Sequence, residues 1–260
     1  MIVNARMYSA TPQAKAAWKK LLGWAVRRAR LDWALVDYDA PAPLSELWAR
    51  DDLGGVMMCG LPYSQRTPRP RLVAAPVPSP VRYGGRPIYF TDLAVRANAS
   101  YRTLEETFGG VVGFTLEDSM SGYVALRKHL LPYRKNDKSG LYRAAVGGLV
   151  NARKVIEALD AGRIDVGPLD SYYHDLIRHT EPDFAAKVRV VATTAPAPIP
   201  PLVSTRDASL REALLAAGTA PELAAERAVL LLKGFAAPDE AAYRVFDTYL
   251  SEARQYPDLW

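Results

Sequence analysis

A pair of serines followed by a glycine marks the stretch of this sequence that is best suited to chemistry. Ser119, Ser121 and Gly122 stand between an apolar run that predicts a buried strand and a pattern that predicts a helix. A helix N-terminus exposes unpaired N–H groups and the positive end of the helix dipole, so it binds oxyanions without a cation. Serine is also a favoured N-cap, and simple capping remains the alternative interpretation of the pair.

Other polar side chains follow predicted strands at their carboxyl ends. They are Tyr63, Tyr89 and Asp170. In open α/β sheets, ligands bind outside the carboxyl ends of the strands. Each tyrosine taken alone can serve packing or a turn, and Asp170 can be a helix cap. Their joint position beside the two serines predicts a binding site for a small molecule.

Metal and cofactor chemistry find little support in the sequence. The motifs CxxC and HExxH are absent, and the histidines are only His129, His174 and His179. We therefore predict no zinc site and no cofactor. Cys59 and His174 can in principle form a nucleophilic pair, but an unpaired cysteine is more often a small buried hydrophobe. Gly109 and Gly110 precede a predicted strand instead of following one, which argues against a dinucleotide fingerprint.

Composition bounds the class of protein. The 260 residues are 49% apolar and 23% charged, with a net charge of +5, which is ordinary for a globular chain with a substantial core. A cluster of arginines among prolines predicts a solvated loop and no nucleic-acid partner; its members are Arg66, Arg69, Arg71, Arg82 and Arg86. No apolar run approaches the roughly 20 residues that span a bilayer, and we expect no membrane insertion. We expect no signal peptide before the first predicted strand, so that either the protein is cytoplasmic or a leader was removed.

Strands alternate with helices along the chain, which favours βαβ units and a mostly parallel sheet. Thr11 and Pro12 predict the start of the first helix, as an N-cap followed by a first-turn proline. The proline-rich run from Arg69 to Tyr83 predicts an edge strand. The remaining predictions used below are a strand over Pro87–Arg96, a polar loop over Lys135–Gly140, and helices over Ala208–Ala217, Pro221–Lys233 and Asp239–Ala253.

The order of the motifs over roughly Met57 to Ser204 resembles the phosphonate-binding group of type II periplasmic substrate-binding proteins of ABC transporters. The segments that carry the resemblance are Met58-Cys59-Gly60-Leu61-Pro62-Tyr63, Tyr89, Tyr101-Arg102-Thr103-Leu104-Glu105-Glu106, Ser119-Met120-Ser121-Gly122-Tyr123, Ala125-Leu126-Arg127 and Gly162-Arg163-Ile164-Asp165-Val166-Gly167-Pro168-Leu169-Asp170-Ser171. Each is individually weak, and together they are fairly specific.

The resemblance implies a fold and a function. The fold is α/β, with two lobes of mixed sheets flanked by helices and two hinge crossovers. Residues 1–90 and 191–260 form the first lobe in this interpretation, and residues 91–190 form the second. The protein is then no enzyme. It captures a small oxyanion-bearing solute, such as a phosphonate or phosphate, between the lobes for an ABC transporter permease in the periplasm.

The resemblance also implies roles for single residues. Ser119, Ser121 and the amides after Gly122 hold the oxyanion in this interpretation. Tyr63 and Tyr89 contact the ligand from the first lobe. The carboxylate of Asp170 accepts from an amine or hydroxyl of the ligand.

Some residues depart from the family pattern. Met120 stands where phosphonate binders often place a third hydroxyl, and Glu117 and Asp118 add carboxylates that repel a dianion. A carboxylate, sulfonate or zwitterionic ligand is therefore equally compatible with the sequence. Asp92 lies on a strand that the family keeps apolar. Two alternatives stay open: a cytoplasmic ligand sensor on the same fold if Met1 is the native start, and a cofactor-precursor enzyme that uses Cys59.

Overall fold

A computed structural model describes residues 1–134 and 140–254 of the chain. These residues divide into two compact units, the first of which contains Met1–Ile88 and Pro198–Tyr243. The second contains the described residues of Tyr89–Ala197 and those from Arg244 to Arg254. The predicted polar loop over Lys135–Gly140 lies outside the described residues, apart from Gly140.

The regular elements are numbered in chain order. The strands are β1 (Ile2–Asn4), β2 (Ala34–Leu35), β3 (Leu53–Met57), β4 (Arg71–Pro78), β5 (Ile88–Tyr89), β6 (Thr91–Arg96), β7 (Val111–Gly113), β8 (Ala144–Val146), β9 (Gly167–Asp170), β10 (Val188–Thr193), β11 (Ala197–Pro198), β12 (Leu202–Ser204) and β13 (Leu232–Ala236). The helices are α1 (Pro12–Arg28), α2 (Leu44–Ala49), α3 (Gly60–Gln65), α4 (Ala125–Leu130), α5 (Ala152–Asp160), α6 (Ser171–Thr180), α7 (Pro182–Ala185), α8 (Arg211–Ala217), α9 (Ala224–Val229) and α10 (Val245–Arg254).

Helix α1 begins as predicted. The Thr11 hydroxyl accepts a hydrogen bond from the Ala14 amide at 3.2 Å, and Pro12 occupies the first turn. The apolar residues at helical spacing are buried, including Trp18, whose indole donates to the Tyr8 carbonyl at 3.2 Å. The buried face of α1 packs against α8 and α9 in the first unit. Local cap chemistry and periodicity were therefore sufficient to predict this helix.

The first unit contains a six-stranded sheet in the order β13-β4-β12-β3-β1-β2. β1 pairs in parallel with β2 and β3, whereas the other three pairs are antiparallel. The expectation of a mostly parallel sheet is therefore wrong, and the mixed sheets that the resemblance implied are confirmed.

Strand β4 lies inside this sheet, so the predicted edge strand is wrong. β12 pairs with its first half, Arg71–Ala74, and β13 pairs with its second half, Ala75–Pro78. Both prolines of β4 lie in the second half, where a missing N–H is tolerated because only β13 pairs there. The prediction of a single helix over Pro221–Lys233 missed the start of β13. The observed helix α9 ends at Val229, and the chain then extends along β4 as β13.

The second unit contains an antiparallel sheet in the order β10-β6-β9 and a parallel pair of β7 and β8. The predicted strand over Pro87–Arg96 is interrupted at Phe90 and forms β5 and β6. Helix α4 packs on these strands through a core of apolar side chains that are each at least 97% buried. They are Leu93, Val95, Leu104, Val112, Leu126, Leu130, Tyr142 and Val166. The first turn of the helix is thereby held at the end of β7.

The last helix differs from its predicted lobe. α10 packs against α4, and the Arg127 Nε donates to the Ala253 carbonyl at 3.1 Å. Both helices belong to the second unit, whereas the prediction placed all C-terminal helices with the first lobe. No helix within the described ranges combines the length and the apolarity needed to cross a bilayer.

Candidate anion-binding site

The serines and glycine of the predicted site lie at the start of a helix that opens with a wide turn. The Ser119 Oγ accepts from the Gly122 amide at 3.0 Å, so Ser119 is the N-cap. The Val124 amide then donates to the Ser119 carbonyl at 3.1 Å, and the Ala125 amide donates to the Met120 carbonyl. These bonds span five residues instead of four, and such π-type turns occur frequently at functional sites. The helix continues as α4.

Gly122 is required by a close approach to Thr115. A Cβ atom at residue 122 would lie 1.7 Å from the Thr115 Oγ1 and 2.9 Å from the Ser119 Oγ. The Thr115 amide donates to the Gly122 carbonyl at 3.1 Å, which ties the end of the β7 segment to the helix start. The Thr115 Oγ1 is buried and finds no hydrogen-bond partner among the described residues.

Thr115 is therefore a candidate site residue that the sequence did not reveal. Only its place at the end of a predicted strand, just before the serines, could have pointed to it. A buried hydroxyl without a partner costs about 1–3 kcal/mol. Its position beside the Ser119 cap makes it a further polar group of the helix start.

Asp170 joins the serines in the second unit. The Ser121 Oγ donates to the Asp170 Oδ2 at 3.5 Å, the outer limit of a hydrogen bond. The Asp170 Oδ1 accepts from the Tyr172 and Tyr173 amides at 3.0 and 3.1 Å and caps α6. Burial raises the pKa of the Tyr173 phenol to about 12 and raises that of Tyr172 too. Both phenols are thus neutral beside Asp170 at neutral pH.

Ser119, Ser121, Gly122 and Asp170 form the group that we call the oxyanion seat. The two serines and the aspartate are half-buried, and Thr91 supports the seat by donating from its Oγ1 to the Ser121 carbonyl at 3.0 Å. Two hydroxyls at the positive end of a helix can hold an oxyanion here. The Asp170 carboxylate adds a negative charge at the same place.

Two other predicted site residues, Tyr89 and Met120, line a cavity of about 310 Å³ within the second unit. Both side chains are at least 98% buried. The wall is mainly apolar and consists of Tyr89, Phe90, Thr91, Met120, Ala125, Lys128, His129, Pro132, Tyr133, Thr194, Ala195, Ala197 and Tyr249. The residues of the oxyanion seat do not line this cavity. The structure therefore places Tyr89 and Met120 beside the seat and facing a separate space.

The charges at the cavity wall are compensated. Lys128 forms an ion pair with Glu252, and its ammonium lies 4.1 Å from the centroid of the Tyr249 ring. Burial lowers the pKa of His129, against the opposite effect of Glu105. The imidazole is accordingly biased towards its neutral form.

Tyr63 belongs to the first unit, on α3. Its side chain is buried and meets the Tyr243 ring edge to face, with 5.6 Å between the ring centroids. Burial raises the pKa of the Tyr63 phenol, and the charge of Glu240 adds to that effect. These contacts are packing contacts, so the ligand-binding role of Tyr63 stays a prediction.

The residues of the alternative enzyme hypothesis have other surroundings. Cys59 is buried in the first unit at the start of α3. His174 is buried in the second unit, where its Nδ1 lies 3.2 Å from the Asp92 Oδ2. Within residues 1–134 and 140–254, no three His, Cys, Asp or Glu side chains come together as a metal site.

Solved structures define the class of the fold. The chain is similar to a binding-protein component of an ABC phosphonate transporter from Pseudomonas aeruginosa, with 16% identity, a TM-score of 0.78, and coverage of 97% of this chain and 87% of that one. PhnD1 from Prochlorococcus marinus, solved with methylphosphonate, gives 11% identity, a TM-score of 0.77 and 98% coverage of both chains. XAC2383 from Xanthomonas citri, solved with ATP, gives 18% identity, a TM-score of 0.67, and coverage of 99% and 98%. The fold is that of a type II periplasmic substrate-binding protein, as predicted.

A family model identifies the group within this class. Residues 13–243 match the family described as the periplasmic substrate-binding protein of the phosphonate ABC transporter. The chain belongs to this family of transporter binding components, which confirms the resemblance seen in the sequence. Among curated proteins, no sequence matches the chain.

Proposed function

We propose that the protein captures a small solute through its oxyanion, and that the oxyanion seat holds the anionic group. The observation that carries this proposal is that Asp170, at the start of α6, meets Ser119, Ser121 and Gly122 at the start of the helix that continues as α4, in a chain of this family. Hydroxyls and helix-start amides recognise oxyanions by geometry and need no cation. The methylphosphonate bound to the Prochlorococcus relative supports a phosphonate or a similar anion as the ligand.

The charges favour a ligand that is not a simple dianion. The Asp170 Oδ2 lies 3.5 Å from the Ser121 Oγ, so an anion on Ser121 has a carboxylate as a close neighbour. Two unit charges about 5 Å apart repel by roughly 3 kcal/mol at an effective dielectric constant of about 20. Glu117 and Asp118 are exposed, and solvent screens them far better. A zwitterion, with its cation on Asp170 and its oxyanion on Ser121, fits this arrangement best.

Membership of the family supports a setting for this function. We propose that the protein delivers its ligand to an ABC transporter permease and works in the periplasm. No catalytic residue is needed for this activity. Tyr89 and Met120 face the cavity of the second unit, so their predicted contacts with the ligand, like that of Tyr63, stay predictions.

A ligand screen tests the proposal directly. We expect methylphosphonate, an aminoalkylphosphonate, a sulfonate or an amino acid to raise the midpoint of thermal unfolding, with confirmation by calorimetry. A ligand at 100 times its dissociation constant stabilises the native state by about 2.7 kcal/mol, so the shift should grow with concentration. Sodium chloride at equal ionic strength is the control. A folded protein that none of these anions stabilises would refute the proposal.

The capping serine gives a second prediction. Ser119→Ala removes the acceptor of the Gly122 amide, so we expect a loss of about 1 kcal/mol in unfolding free energy and weaker ligand binding. Asn151→Ala is the matched control, because the Asn151 side chain caps α5 in the same unit by accepting from the Lys154 amide at 3.1 Å. Urea unfolding should show similar losses of unfolding free energy for both variants. Calorimetry should show a loss of ligand affinity for Ser119→Ala alone. Equal affinities would mean that Ser119 only caps the helix.

A further inference from the structure

A buried carboxylate and a buried imidazole meet behind the oxyanion seat. The side chains of Asp92 and His174 are 0% and 3% exposed, and 3.2 Å separates the Oδ2 of Asp92 from the Nδ1 of His174. The Thr193 hydroxyl, on the neighbouring strand β10, donates to the Asp92 Oδ1 at 3.1 Å. Burial of a carboxylate is costly unless partners satisfy it, and both oxygens of Asp92 have such partners.

The pair closes a ring of contacts that includes two residues of the seat, Ser121 and Asp170. Thr91, next to Asp92 on β6, donates to the Ser121 carbonyl at 3.0 Å. The Ser121 hydroxyl reaches Asp170, which starts α6 as its N-cap. One helical turn further, His174 projects from α6 and contacts Asp92. The ring therefore returns to the strand on which it began, and all its members belong to the second unit.

The backbone adds rigidity to this ring. Thr91 and Asp170 are register partners in the β6–β9 pair, and the Thr91 amide donates to the Thr194 Oγ1 at 3.0 Å. The Ser171 Oγ accepts from the Phe90 amide at 2.9 Å, which ties the first residue of α6 to the chain before β6. The contact of His174 with Asp92 attaches α6 to β6 one turn beyond Asp170, in addition to the packing of its buried residues Leu176 and Ile177.

We propose that Asp92 and His174 are positioning residues that hold Asp170 and Ser121 at the spacing needed by the ligand. This inference rests on the proposed function, since it concerns the same seat. Hydrogen bonds that involve a carboxylate are strong and directional in a buried setting, so they resist small rotations of a helix. Loss of the contact should let the start of α6 shift and should weaken binding without removing any group of the seat.

The test compares two substitutions at one position. In His174→Asn, the amide nitrogen lies near the place of Nδ1 and can still donate to Asp92, whereas His174→Leu fills the space without a donor. We expect calorimetry to give about tenfold weaker binding of the best anion for His174→Leu and nearly unchanged binding for His174→Asn. Glu181→Gln is the matched control, because Glu181 ends the same helix and pairs with Arg153 at 2.7 Å.

Amide hydrogen exchange provides a readout that needs no ligand. We expect His174→Leu, at temperatures where it is folded, to speed exchange at the amides of Tyr172 and Tyr173, which bond to Asp170, and at those of Gly122 and Val124, which bond to Ser119 of the seat. Glu181→Gln should leave these rates unchanged. If His174→Leu does not fold, Thr193→Val, at an exposed position, removes the other donor to Asp92 and should change the same rates to a smaller extent.

The outcomes separate the two proposals. Unchanged exchange in His174→Leu, or equal loss of affinity in His174→Leu and His174→Asn, would overturn the positioning role. A wild-type protein that binds no anion would refute the proposed function, and the exchange rates would still decide whether the pair positions the helix start. Faster exchange and weaker binding in His174→Leu, with rescue in His174→Asn, are the results that we expect.

Discussion

Replacement of Gly122 by alanine is expected to reduce ligand affinity by more than about 100-fold and to cost about 3 kcal/mol of unfolding free energy. The added Cβ would lie 1.7 Å from the Thr115 Oγ1 and 2.8 Å from the Thr115 Cβ. Rotation of the Thr115 side chain about its Cα–Cβ bond relieves the clash with Oγ1 but leaves the clash with Cβ, so the helix start has to move. That movement breaks the bonds of Gly122 to Ser119 and Thr115, and with them the seat. Calorimetry and urea unfolding measure the two effects.

Two further variants separate this clash from a general cost of alanine. Gly109→Ala adds a Cβ in open space at a positive φ of 82°, so we expect a stability loss of about 1 kcal/mol and unchanged affinity. The double variant Thr115→Gly with Gly122→Ala removes both threonine atoms that clash, and affinity should return in part. Wild-type affinity in Gly122→Ala would show that the close approach is not needed for binding.

Local patterns predicted the parts of the fold that depend on neighbours in sequence. The Thr11 cap, Pro12 and the apolar stripe of α1 were sufficient because a helix start and its face are encoded within about four residues. The edge assignment of β4 failed because the pairing of a strand depends on β13, more than 150 residues away. The short run Leu232–Ala236 carries no alternation that would distinguish it from the end of a helix.

The oxyanion seat shows the same difference between features that depend on neighbours in sequence and features that depend on the fold. Ser119, Ser121 and Gly122 could be selected because the motif is contiguous, and Asp170 could be selected because it follows a predicted strand at its carboxyl end. The Thr115 hydroxyl could not be selected from the sequence, because its position in the site depends on how the β7 segment packs against the helix start. The wide first turn could not be foreseen either, as no residue preference marks a bond from residue 124 to residue 119.

Asp92 shows a different limit of sequence reasoning. It stood out as a charge on a strand expected to be apolar, but the sequence did not reveal its partners. His174 and Thr193 lie 82 and 101 residues away along the chain. A buried charge in a strand therefore predicts that the side chain has a polar partner but does not identify that partner, which only the fold reveals.

Neutralisation of Asp170 is expected to invert the ligand preference. In Asp170→Asn the side-chain oxygen can still cap α6, since asparagine and aspartate are equally good N-caps, and the negative charge is lost. We expect about tenfold weaker binding of an aminoalkylphosphonate, whose ammonium loses its partner, and about tenfold tighter binding of doubly charged phosphate or methylphosphonate. The ratio of the two affinities should then change by about 100-fold. Calorimetry with both ligands at fixed ionic strength measures it.

The inversion distinguishes a charge effect from a loss of structure, because damage to the seat would weaken both ligands together. Asp165→Asn is the matched control: the Asp165 carboxylate also accepts from a backbone amide, that of Val111 at 2.7 Å, and it lies at the opposite end of β7 from the seat. We expect no change of preference in that variant. If Asp170→Asn weakens the dianion and the zwitterion equally, Asp170 contributes to binding only as a helix cap, and the seat is not tuned to ligand charge.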